Sequence, residues 1–129
     1  MEIQEQLGPL IRVAVVAPAW LQSALLVFLR STPKLRLVAC TTTVQVLLSL
    51  DLEQIPGLII IETDKRFRKA LHQIRRLKAA WPASNIIALT PLEGVEASML
   101  AAGADEIVIS GSPPDQLRLA ISRFSYSNQ

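Results

Sequence analysis

The chain has one cysteine, Cys40, and one histidine, His72. A single cysteine closes no disulfide within the chain, so the fold must hold by its core. No cluster of Cys and His residues has metal-ligand spacing, and no metal is expected. Cys40 reads as a small hydrophobe at a strand end, and the thiol usage fits a reducing cytoplasm. Charge of neither sign dominates: 13 basic residues face 11 acidic ones, for a net charge of +2. That balance does not by itself call for nucleic acid. No apolar run reaches the roughly 20 residues that a membrane span needs. Val13 to Leu29 comes nearest, but Pro18, Gln22 and Ser23 interrupt it. Glu2 and Glu5 precede it, where a leader peptide carries basic residues, so neither leader nor membrane partner is expected. No G-x-G-x-x-G follows the first apolar stretch, and no Ser/His/Asp or Cys/His set is evident. Neither a cofactor nor an enzyme activity is expected.

What the chain does have is apolar material. Half of its 129 residues are hydrophobic, enough for a layered core in one domain. Ile11 to Val16 (IRVAVV) is apolar and β-branched without alternation, the pattern of a strand covered on both faces. Leu35 to Ala39, Leu58 to Ile61, Asn85 to Leu89 and Glu106 to Ile109 read as further strands. Helices are expected between them: Trp20 to Arg30, a short one capped by Thr43 and reaching Leu50, Lys65 to Trp81, and Glu93 to Ala102. A last helix starts at Ser112 or Pro113 and runs to about Phe124, on Leu117, Leu119, Ala120, Ile121 and Phe124. Gly103 follows the fourth helix as a C′ glycine. Strands alternating with helices imply a three-layer α/β fold with a parallel sheet between two helical layers. Five such units give the flavodoxin-like (βα)5 doubly wound arrangement, with strand order 2-1-3-4-5. Residues 1–129 read as a single domain with its core at about 11–124.

The third strand poses the functional question, because it ends on a carboxylate, Glu62, with Thr63 and Asp64 next. In open parallel sheets, ligands and chemistry sit at the carboxyl ends of the strands.

PGLIIIE, IIALTP and AAGADEIVIS, in that order and spacing, resemble three landmark stretches of two-component receiver domains. The resemblance is closest to receivers of transcriptional response regulators, and it covers Ile11 to Phe124. Gly103-Ala104-Asp105 is its most specific part. In that family an acid pair after the first strand holds magnesium, and an aspartate after the third accepts a phosphoryl group. A Thr or Ser after the fourth moves to meet the phosphate, a lysine after the fifth pairs with it, and an aromatic switch lies three residues earlier. Here the acid-pair positions hold Ala17 and Pro18, the phosphoacceptor position holds Glu62, and the lysine position holds Ser110. The aromatic position holds Ile107, and only the hydroxyl, Thr90, matches. Phosphoryl transfer needs a metal and cations against the charge spreading over the equatorial oxygens. The resemblance therefore implies a degenerate receiver, or pseudo-receiver: the scaffold without the phosphorelay chemistry.

Glu62 admits two readings, a fixed charge in place of phospho-aspartate or a solvated strand-end acid. Thr90 is expected to bond Glu62 or to cap the next helix. Trp20 is expected to pack as the first core residue of its helix, or else to cover the vacated site. The third helix region carries Lys65, Arg66, Arg68, Lys69, Arg75, Arg76 and Lys78, seven of the 13 basic residues. Arg66, Lys69, Arg75 and Arg76 could meet an anionic partner, against the plainer reading of a solvated face. No aromatic interleaving suggests base stacking. Arg118 and Arg123 on the last helix and Glu93 and Glu96 on the fourth suggest a homodimer across a two-fold axis. The resulting expectation is a phosphorylation-independent signalling module that acts through a protein partner or a second copy. The alternatives are the regulatory domain of a DNA-binding regulator and a small-ligand-binding domain on the same fold.

Overall fold

The structure is a computed structural model that describes residues 10–127, with side chains described through Phe124. Five strands, β1 (Ile11–Val16), β2 (Leu35–Thr41), β3 (Leu58–Glu62), β4 (Asn85–Thr90) and β5 (Glu106–Ile109), form one parallel sheet in the order β2-β1-β3-β4-β5. The helices between and after them are α1 (Ala19–Arg30), α2 (Val44–Ser49), α3 (Phe67–Ala80), α4 (Glu96–Ala102) and α5 (Pro114–Ser127). This is the expected flavodoxin-like topology. Among the described residues, no helix is long and apolar enough to cross a membrane.

Side chains of a strand point alternately to its two faces, and the two cores follow that rule. Ala14, Val16, Ile59, Ile61, Ile86 and Ala88 pack with α2, α3 and α4. Val13, Val15, Leu58, Ile60, Ile87 and Leu89 pack with Leu25 and Leu29 of α1 and Leu117, Ala120 and Ile121 of α5. Burial on both faces is why β1, β3 and β4 read as unbroken apolar runs.

Several boundaries and packing positions differ from the sequence reading. α3 starts at Phe67 and not at Lys65, because the Asp64 carboxylate accepts the Arg66 backbone N–H at 2.8 Å and turns the chain first. α4 starts at Glu96 and not at Glu93, because Gly94 adopts φ +72° and breaks the helical path. Thr43 does cap α2, accepting from the Val46 N–H at 3.0 Å. Leu119 lies off the buried stripe of α5, which runs through Leu117, Ala120 and Ile121, and is 53% exposed.

The Gly103-Ala104-Asp105 landmark is a structural joint. Gly103 N–H donates to Leu100 O, and Ala104 N–H to Met99 O, the two bonds of a Schellman ending for α4. Gly103 has φ +126°, and a Cβ there would stand 2.9 Å from Cβ and Cγ of Lys78 on α3. Asp105 then ties β5 to its neighbours. Its carboxylate accepts the Ile86 N–H at 2.8 Å and Lys78 Nζ at 3.3 Å, and its own N–H donates to Ile86 O. None of these contacts involves phosphate chemistry.

Gly103→Ala should destabilise the fold by about 2–3 kcal/mol, combining left-handed strain with the Lys78 clash. Gly94→Ala, at φ +72° with open space around it, should cost only about 1 kcal/mol. Urea unfolding midpoints of the two variants test the difference.

Candidate functional site

The carboxyl ends of β1, β3, β4 and β5 meet where the sequence places the site. Glu62 continues the alternation of Leu58 and Ile60, so it faces the α1/α5 layer. Ser110 continues Val108 in the same sense and faces the same layer. The two meet: Ser110 Oγ donates to the Glu62 carboxylate, 2.8 Å from one oxygen and 3.0 Å from the other. β4 lies between β3 and β5, so this contact spans two strand spacings of about 4.8 Å each. The extra methylene of Glu62, relative to an aspartate, gives it that reach. Sequence reasoning noted Ser110 only as a lost cation. Strand parity was the signal that could have paired it with Glu62.

Thr90 does not bond Glu62. It continues Ile86 and Ala88, which face the opposite core. In the β3–β4 register Glu62 stands beside Leu89. The Thr90 hydroxyl instead accepts the Leu92 N–H at 3.1 Å, within its own loop. Ile107 also packs on the α2/α3/α4 side, away from the carboxylate. The structure therefore joins Glu62 to Ser110 and separates both from Thr90 and Ile107.

The acid-pair positions are built into the backbone. Ala17 is buried, and its carbonyl accepts Gln22 Nε2 at 2.9 Å. Pro18 caps α1 in an extended conformation, and its carbonyl accepts the Leu21 and Gln22 N–H groups. A magnesium ion, which the resemblance to receiver domains implies, needs oxygen ligands converging on it. A methyl group and a pyrrolidine ring supply none, and the residues do not fit the ion. The nearest acid in sequence, Asp64, is held by Arg66 at 3.0 Å. That guanidinium lowers its pKa to about 2.

Trp20 is not a core residue. It is 75% exposed at the mouth of a cavity between α1 and α5. Leu21 and Phe28 of α1 are half-buried and line the same cavity. Burial raises the pKa of Glu62 above its ordinary value near 4.5, and the Ser110 hydrogen bond opposes this.

The basic residues on and just before α3 lie away from this cavity. Arg66 is engaged by Asp64, and Lys78 by Asp105. Lys69 and Arg75 are exposed, and Arg76 is half-buried. The charges expected to meet across a two-fold axis are partly used within the chain. Arg118 pairs with Asp115 at 2.7 Å and lies over the Phe28 ring, and Arg123 pairs with Glu106. Cys40 is half-buried near the end of β2, and burial raises its thiol pKa.

By sequence, no family model and no curated relative matches the chain. By structure, it has the fold of response-regulator receiver domains. The isolated REC domain of RcsB from Salmonella enterica serovar Typhimurium, studied with the phosphomimetic BeF3−, superposes with TM-score 0.80 at 15% identity, covering 91% of this chain and 89% of that one. An RcsB response regulator from Salmonella typhimurium, described for its conformational dynamism in DNA interaction, gives TM-score 0.81 at 14% identity over 92% of this chain. This chain spans 60% of that regulator. The BeF3-activated DrrB receiver domain gives TM-score 0.73 at 22% identity, covering 91% of this chain and 98% of that one. At such identities the likeness carries the fold alone.

The raised pKa of Glu62 sets the sign of a pH effect. The native state holds the Glu62 proton more tightly than the unfolded chain does. Stability therefore falls as pH rises from the unfolded value through the raised native one, and then levels. Glu62→Gln removes this dependence. Its stability relative to the parent should improve as pH rises past the ordinary carboxyl range, by under about 1 kcal/mol because water screens a half-buried group. Thermal melts of both proteins at several pH values check the sign.

Proposed function

We propose that the chain is a receiver-like signalling module that works without phosphorylation and without catalysis, by contact with a protein partner or a second copy of itself. The observation that carries this reading is the Glu62–Ser110 pair. At the place where the receiver fold puts an acid and a lysine around a phosphoryl group, a longer acid is bonded by a neutral hydroxyl. Ala17 and Pro18 add no metal ligand beside it. A ligand shifts a two-state equilibrium only through contacts that differ between the states. Glu62 touches neither Thr90 nor Ile107, so its charge acts on no element that the fold uses as a switch. This supports a fixed local feature over a working mimic of the phosphorylated state.

Several RcsB structures are of that regulator bound to promoter DNA or as dimers on DNA. A comparable place for this chain, as the regulatory part of a DNA-binding assembly, is the second reading. The fold favours it, and the mildly basic charge does not oppose it. The exposed basic residues of α3 are the face on which an acidic protein surface would dock, and the solvated reading of that face remains the plainer one. A cytoplasmic location follows from either function.

The test is chemical. The protein is incubated with magnesium and a small phosphodonor, and its intact mass is measured. No stable gain is expected. A stoichiometric gain of one phosphoryl group would overturn the phosphorylation-independent reading.

A further inference from the structure

At the carboxyl end of the sheet, α1 and α5 do not close against each other. The cavity between them has a volume of about 410 Å³. Its walls are apolar, chiefly Leu21, Leu25, Phe28, Leu89, Val108 and Leu117. Glu62 and Ser110 also line it, and among the described residues Glu62 is the only ionisable one in its lining. We propose that this cavity binds a small amphiphilic amine, with its ammonium group on the Glu62 carboxylate and its hydrocarbon body between α1 and α5.

Size, charge and shape all favour that occupant. The volume lies within the range of roughly 300–1,000 Å³ typical of small-molecule sites. A carboxylate offers about four acceptor positions. Here a single hydroxyl proton is shared between the two oxygens. Among the described residues, no basic side chain pairs with Glu62. An anionic ligand would be repelled by it. A purely apolar ligand would strip water from the carboxylate and give nothing back, which is costly. An ammonium group replaces that water with a charged hydrogen bond. It would also offset the burial that raises the pKa of Glu62.

The rim suits the same molecule. Trp20 presents an exposed indole, whose face attracts both cations and apolar surface. Pro113 and Pro114 line the other side. Their rings fix φ, so little freedom is lost there on binding. A free small amine fits this cavity better than a flat protein surface does, because the carboxylate lies beneath apolar walls. The inference goes beyond the signalling reading. Phosphoryl uptake by the free protein would defeat that reading alone, and failure of the amine to bind the unmodified protein would defeat this inference alone.

The experiment uses the full chain and three matched probes: 2-phenylethylamine, 2-phenylethanol and phenylacetate. Backbone amide NMR shifts locate each probe. Trp20 fluorescence, in a Trp81→Phe background that removes the second of the two tryptophans, gives affinity. The amine should saturate in the millimolar range expected of a fragment, shifting the Ser110 and Gly111 amides and the Trp20 indole. It should bind at least about tenfold tighter than phenylacetate. Glu62→Gln should erase the amine's advantage and keep alcohol binding. Ala24→Trp, which fills the cavity from α1, should abolish binding of all three. The proposal is overturned if no probe saturates, if the shifts map outside the α1/α5 cavity, or if the amine preference survives in Glu62→Gln.

Discussion

Three strands of this sheet, β1, β3 and β4, are buried on both faces, so each of their side chains must belong to one core or the other. The period of two along a strand leaves no third choice, and a slip of one residue would exchange the two sets. Everything at the carboxyl end inherits that assignment. Glu62 follows Leu58 and Ile60 to the α1/α5 side, and Ser110 follows Val108 to the same side. Thr90 follows Ile86 and Ala88 to the other. The pair that forms and the pair that does not are both consequences of core packing. Neither was available for adjustment without moving an entire strand.

The electrostatics follow from the same placement. The cavity that Glu62 lines is chiefly aliphatic and aromatic, and among the described residues its one side-chain hydrogen bond comes from a neutral hydroxyl. Asp64, two residues on, stands outside the strand and meets a guanidinium at once. Two acids two residues apart therefore have pKa values displaced in opposite directions, one by burial and one by a cation. The acid with the perturbation that usually marks a functional position is the one within the cavity.

Much of the fold was legible because strands and helices carry different periods. IRVAVV and LIIIE read as two-sided strands, and Gly103 as a helix ending, and the structure has them so. The boundaries that went astray have local causes. The Asp64 carboxylate captured the Arg66 N–H, and Gly94 took a left-handed conformation, and neither effect has a periodic signature. The site was legible in its positions but not in its pairing. Glu62 and Ser110 are 48 residues apart in sequence, and only the sheet order and strand parity bring them together. Of the two readings of Trp20, packing in the core fails for a related reason. A large aromatic beside an apolar stripe looks like core, and nothing local says that α1 and α5 stand apart at that end.

The register of β1 against β2 shifts between Val13 and Ala14, where Val38 is left without a partner. β2 is an outer strand, seven residues long, with Arg36 and Leu37 exposed. A straight, evenly spaced outer strand of that length is a template on which other chains can add and grow into aggregates. The extra residue twists β2 and interrupts the even spacing of its free backbone groups. Arg36 adds a charge that an incoming strand would have to strip of water. The irregularity thus makes the outer edge of β2 a poorer template for strand addition than a straight, evenly spaced one.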